Sequence, residues 1–272
     1  MKTLPNHLIL FDAECPICTF YAKTVTSAGI IEKSGEIAYQ DITAETCPMV
    51  DRQRAVNELA IVNQTTGEVS YGINSLFKIL AVAMPWLKPL LTFKPFIWVM
   101  SKVYALFSYN RRLIIPTAQA TQKYALQPTF RLSYRLLYLV LAWAITAYIL
   151  TAYVHLMKGI LPQGDRFREY LICGGQIFFQ GAIVVIIAKN KTFDYLGNMM
   201  TVSLGGALLL IPGLIAGVFF NIAPIVYVLY FMGVAGLMLF EHIRRVGLLN
   251  LWWGLSVTWL IYLVLVLLVI LK

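Results

Sequence analysis

Charge is scarce in this chain. Asp, Glu, Lys and Arg make up only 13 % of its 272 residues, against 59 % apolar residues, where soluble proteins carry about 25 % charged residues. So little charge cannot cover a wholly water-exposed surface, and much of the chain is expected inside a membrane. Acidic residues are missing altogether from 81–133, which hold seven Lys and Arg; residues 1–80 hold six basic and nine acidic, and 134–272 nine and four. Three regions are therefore expected, with boundaries at 1–84, 85–133 and 134–272. The net charge of +9 sits beside apolar segments, where lipid headgroups and membrane topology account for it, so no nucleic-acid partner is expected. Four cysteines in 272 residues exclude the dense disulfide framework of a small secreted domain. The opening "MKTLPNHLILFDAEC" has an apolar stretch of about five residues, short of the roughly 7 to 15 of a signal-peptide core. No signal peptide is expected, and the N-terminal region is expected in the cytoplasm.

What is present begins with alternating short elements. "HLILF" reads as a buried strand and Pro16 to Ala28 as a helix ended by Gly29; "EIAYQDI" (36–42) alternates with period two. Residues 47–57 form a weak polar helix, "ELAIVN" and "VSYG" a hairpin, and "NSLFKILAVAM" a closing helix with Asn74 as N-cap. The order β-α-β-α-β-β-α, with Cys15-Pro16-Ile17-Cys18 where the first strand meets the first helix, is the minimal thioredoxin-like arrangement. Pro85, Pro89 and Pro95 then interrupt the chain before a mostly apolar helix over 96–112, which is expected at the membrane interface or packed on the small domain.

Five apolar stretches follow, at about 136–157, 169–188, 198–220, 222–241 and 249–271, each long enough to cross about 30 Å of hydrocarbon. The third and fourth, separated by "NIAP", are expected to form a tight hairpin, with Pro212 and Gly213 kinking the third. Gly174, Gly175, Gly181, Gly205, Gly206, Gly213, Gly217, Gly233 and Gly236 are expected at close helix contacts. With the N-terminus inside, Arg111, Arg112, Lys123, Arg131, Arg135, Lys189, Lys191, Arg244 and Arg245 face inward, against Lys158, Arg166, Arg168 and Lys272 outside. That places the chain in a bacterial cytoplasmic membrane with its N-terminal domain facing the cytoplasm. His155 and His242 fall at opposite membrane faces and read as interfacial residues, not as ligands of one haem. Glu241, His242, Arg244 and Arg245 read as a charged rim.

The Cys15/Cys18 pair admits three readings: a redox dithiol, half of a metal site, or buried packing. A zinc site needs further soft ligands, and Cys47 and His7 offer no metal-ligand spacing. The redox reading explains more of the surroundings. A cysteine at a helix N-cap faces unpaired N–H groups and the positive dipole end, which favour thiolate; Pro16 suits the first helical position; and Cys18, on the same face, suits a resolving thiol one turn deeper. Asp12 and Glu14 oppose thiolate formation.

"LILFDAECPICTFY", "ELAIVNQTTGEVSYGINSLFKIL" and "VYALFSYNRR" resemble the DCC-type thiol-disulfide oxidoreductases, a thioredoxin-like family, over roughly residues 6–112. The resemblance implies Cys15 and Cys18 as catalytic residues supported by Asp12, Pro16, Gly72, Ser75, Asn110 and Arg111, with Ala13 where the family usually has Gly. It implies thiol–disulfide exchange with no cofactor beyond the Cys15–Cys18 redox pair. The expected fold class is an α/β thioredoxin-like domain followed by an all-α transmembrane bundle of about five spans. The expected partners are the lipid bilayer, a protein or small-molecule disulfide or thiol, and a cytosolic thiol reductant. Another reading of the same features is a membrane scaffold, carrier or assembly factor whose small domain senses redox state or holds a partner.

Overall fold

A computed structural model describes residues 3–32, 34–42, 47–116 and 129–272, so Lys123 lies outside the described residues. The chain divides into two compact units, Met1–Tyr134 and Arg135–Lys272.

In the first unit, β1 (His7–Phe11), α1 (Pro16–Ser27), β2 (Glu36–Ala38), α2 (Arg52–Asn57), β3 (Ala60–Asn63), β4 (Val69–Tyr71) and α3 (Ile73–Ala83) follow one another. The strands form one mixed sheet in the order β2-β1-β3-β4, with β1 parallel to β2 and antiparallel to β3. β1 is a continuous apolar run because both its faces are covered: Leu8 and Leu10 pack with Val56 and Val62, and Ile9 with Val25, Ile61 and Ile79. β2 is shorter than the alternation over 36–42 predicts. Its register ends where Phe11 meets Ala38; with no further strand to pair, the chain turns into a 3-10 helix at Tyr39–Asp41. The closing helix also starts differently. Gly72, at φ 62°, is its N-cap in place of Asn74, because the chain must reverse directly after β4. The predicted helix over 47–57 is confined to Arg52–Asn57, capped by Asp51 Oδ1 accepting from Arg54 N at 3.0 Å.

Beyond α3, a 3-10 turn at Pro85–Leu87 leads into α4 (Lys88–Leu91) and α5 (Lys94–Ile114). α5 packs on the small domain along its length: Phe96, Met100 and Tyr104 join Phe77 and Leu91 in one apolar cluster. Tyr104 Oη accepts from Leu59 N at 2.9 Å, and Ser108 Oγ donates to Asn57 O.

The second unit is all helical: α6 (Leu132–Val154, beginning at the end of the first unit), α7 (Arg168–Ala188), α8 (Thr192–Phe219), α9 (Pro224–Leu248) and α10 (Gly254–Leu271). Among the described residues four stretches are long and apolar enough to cross a membrane, one of them the 52 residues Arg168–Phe219, and the bent pair Pro85–Leu91 and Lys94–Ile114 makes a fifth if it is one span. The stretch Arg168–Phe219 folds back at Lys189–Lys191, since Tyr195 Oη donates to Gln180 Oε1 at 2.8 Å, and so comprises two helices. α8 and α9 form the expected hairpin, and α8 runs as one helix through Pro212. The glycines divide. A Cβ at Gly206, Gly213 or Gly217 would press on Met238, Tyr153 or Leu156 and one at Gly175 on Tyr262 Oη, one at Gly174 or Gly181 would make only ordinary contact with Trp143 or Leu196, and Gly205, Gly233 and Gly236 face open space within the chain.

His242 is buried inside the bundle, 1 % exposed. Its Nε2 lies 3.2 Å from Tyr195 Oη and its Nδ1 3.0 Å from Ser256 Oγ, with Trp259 stacked on the ring at 5.2 Å. Next to it, Arg245 joins Glu241 (2.7 Å) and Asn198 (3.0 Å), so part of the expected rim points into the bundle. His155 is exposed beside Gln163.

Candidate active site

β1 carries the chain into the site, and its end sets the first charge. Asp12 directly follows the last residue of β1 and is 2 % exposed. Its Oδ1 accepts from Glu14 N (3.1 Å) and Gln40 Nε2 (2.8 Å), and its Oδ2 from Arg111 Nη2 (2.5 Å). Gln40 closes the loop from the other side, its Oε1 accepting from Ala13 N at 3.2 Å. Ala13 thus occupies this turn without the positive φ that would demand glycine.

The turn delivers Cys15 to the N-cap of α1. Its backbone is extended (φ −101°, ψ 109°), Pro16 opens the helix, and the Cys15 sulfur accepts from Cys18 N at 3.4 Å. Cys15 is 7 % exposed and Cys18 is half-buried. Arg111 arrives from the last turn of α5. It reaches 3.9 Å from Cys18 Sγ while its Nη2 also donates to Val56 O at 2.7 Å. Arg112 pairs with Glu14 at 3.0 Å.

These contacts set the two thiols apart. The hydrogen bond with the Cys18 side chain, together with the Cys18 backbone N–H and the nearby Arg111 cation, outweighs burial and lowers the Cys15 pKa to about 6. The same hydrogen bond, joined by burial, pushes Cys18 upward. Asp12 opposes the Cys15 thiolate as its charge requires, but it is paired with a guanidinium. A thiolate at Cys15 beside a protonated Cys18 is the division of labour that thiol–disulfide exchange needs.

The other residues implied by the resemblance are dispersed around this group. Gly72 turns β4 into α3, and a Cβ there would meet Glu58 Oε2 at 2.8 Å. Ser75, fully buried, donates to Ser70 O at 2.5 Å. Asn110 donates to Tyr134 O at 3.0 Å and Leu106 O at 2.9 Å, next to Arg111 in sequence but directed away from the thiols. Gln40, Val56 and the Glu14–Arg112 pair are additions that no motif announced. Only the charge complement, two acids beside the CxxC and two arginines ending α5, could have pointed to the last of them.

The ligands weighed for a metal do not assemble. Cys47 packs against the Leu8–Leu10 side of the sheet, His7 Nδ1 lies 2.7 Å from Pro5 O, and no group of three His, Cys, Asp or Glu converges among the described residues. Cys173 is buried in α7.

No curated protein and no solved structure matches the chain. Residues 9–115, which contain β1, the dithiol and all of α5, match the family of DCC1-like thiol-disulfide oxidoreductases.

Proposed function

We propose that the protein is a membrane-anchored thiol–disulfide oxidoreductase in which Cys15 attacks and Cys18 resolves. The observation that carries this reading is the Cys15 sulfur at the N-cap of α1, held by Cys18 N at 3.4 Å beside the Arg111 guanidinium. The Cys15 thiolate attacks one sulfur of a substrate disulfide, forms the mixed disulfide and releases the other sulfur as thiolate. With Cys15 consumed, the hydrogen bond that kept Cys18 protonated is gone, and Arg111 favours the Cys18 thiolate. Cys18 then attacks Cys15 Sγ, and the second substrate thiol leaves. Two electrons have passed to the substrate, and a Cys15–Cys18 disulfide remains for a cytosolic thiol reductant to reduce.

The direction follows from sidedness. Arg135 pairs with Asp194 at 3.0 Å and Lys191 Nζ donates to Leu249 O at 2.7 Å. These contacts bring the start of α6, the α7–α8 turn and the α9–α10 turn to one end of the bundle. Arg244 and Arg245 belong to that end as well, and its basic character supports a cytoplasmic placement, in a bacterial inner membrane, of the chain preceding α6. In that compartment the dithiol works as a reductant.

Trapping tests the mechanism. In the full-length protein, Cys18→Ser with oxidised glutathione accumulates a stable mixed disulfide at Cys15, readable by intact mass, and Cys15→Ser accumulates none. Equal capture by both variants removes the assignment of roles.

A further inference from the structure

α5 uses one side to hold the redox domain, and its other side is apolar and exposed over its first four turns. Val99, Val103 and Phe107 follow one another at four-residue spacing along that side, and Trp98, 65 % exposed, borders it next to Val99. Trp86 and Phe93, on the two turns that precede it, are exposed as well. A cluster of exposed Trp, Phe and Val side chains marks an interaction surface. The contacts of Tyr104, Ser108 and Arg111 with the redox domain keep the other flank of α5 on protein.

Charge identifies what covers the face. Lys88, Lys94 and Lys102 are exposed around it, Lys102 Nζ lies 6.0 Å from the Trp98 ring centroid, and no acidic residue occurs anywhere in 81–133. Exposed Trp and Phe bordered by Lys alone is the composition of a helix lying in the interface of an anionic leaflet. Pro85–Leu91 and Lys94–Ile114 meet at a bend of 89°. We propose that the exposed face of α5, with Trp86 and Phe93, is a docking surface for an anionic lipid bilayer, into which Val99, Val103 and Phe107 insert with Trp98 at its edge. This contact is independent of the redox reading, and its result is that the domain bearing the dithiol lies on the membrane instead of swinging on a linker.

The test uses the full chain in lipid nanodiscs. Its four cysteines are replaced, and a nitroxide is attached at Val99→Cys or Val103→Cys, with Leu265→Cys as a lipid-facing reference and Thr66→Cys as a water-facing one. In discs of phosphatidylcholine with 30 % phosphatidylglycerol, both α5 labels are expected to be accessible to oxygen and shielded from a nickel chelate, as at position 265. Replacing Lys88, Lys94 and Lys102 with Gln is expected to raise nickel accessibility several-fold. Labels that behave like position 66 overturn the proposal. Labels shielded from both reagents overturn it too, because they place protein, the chain's own helices or a second copy, on this face. If the cysteine-free chain does not fold, native protein in discs containing an acyl-chain diazirine lipid supplies the readout. Adducts on the peptide containing Trp98 support the proposal, and adducts confined to α6–α10 overturn it.

Discussion

Arg111 reaches the dithiol from 93 positions away in sequence and answers two charges at once, the Asp12 carboxylate and the Cys15 thiolate. An opposite charge nearby lowers a thiol pKa, so Arg111→Met should shift the alkylation midpoint of Cys15 upward from about 6. Iodoacetamide rates across pH measure it. The same change strands a buried carboxylate, which costs about 3–5 kcal/mol. Adding Asp12→Asn should therefore recover much of the stability, with the midpoint still above the wild-type value, because Arg111 weighs more on Cys15 than Asp12 does. Linkage adds a second expectation. The folded-state pKa of Cys15 lies below the ordinary thiol value, so its stabilisation of the reduced protein is complete above about pH 8.5 and is lost as pH falls through about 6. The melting temperature of the reduced protein relative to Cys15→Ser should rise between these limits; a flat difference contradicts the assigned thiolate. At this scale the sequence was informative about what is local. Cys15 and Pro16 carry their own helix-start signals, whereas Gln40 and Val56 enter the site only through the path of the fold.

The elements show where local pattern stops being sufficient. The alternation "EIAYQDI" continues past Ala38, but a strand lasts only as long as its neighbour, and β1 ends at Phe11. Asn74 looks like a cap on composition alone; the turn out of β4 needs a residue at φ 62° first, and Gly72 supplies it. Gly72→Ala should lower stability by about 1–2 kcal/mol through the positive φ and the clash with Glu58, measured as a lower melting temperature of the detergent-solubilised protein. In the bundle, glycine spacing could not tell a helix contact from the outer surface: Gly206 is closed by Met238, and Gly233 has nothing near it. His242 escaped for a related reason, since a histidine near the end of an apolar run carries no sign of which face it occupies. With Tyr195 and Ser256 both directed at it, His242→Leu should destabilise the bundle by about 1–3 kcal/mol while the dithiol still forms its mixed disulfide. Thermal unfolding with glutathione trapping in parallel separates the two.

The whole molecule joins a charge-bearing α/β unit to an apolar helical one, a division already visible in the acid-free stretch 81–133 and in the basic residues beside the apolar runs. Sidedness belongs to this scale. A membrane-impermeant maleimide should leave Cys15 unlabelled in intact cells and label it once the membrane is permeabilised; labelling from outside reverses the direction of the chemistry. Both thiols must act as one redox pair for the proposed chemistry to occur. When the full-length protein is equilibrated in graded glutathione or dithiothreitol buffers and mapped by mass spectrometry, Cys15 and Cys18 should convert together as one two-electron couple, and neither Cys15→Ser nor Cys18→Ser should show it. Failure of the pair to form a disulfide at any poise, or pairing of either thiol with Cys47 instead, would contradict it.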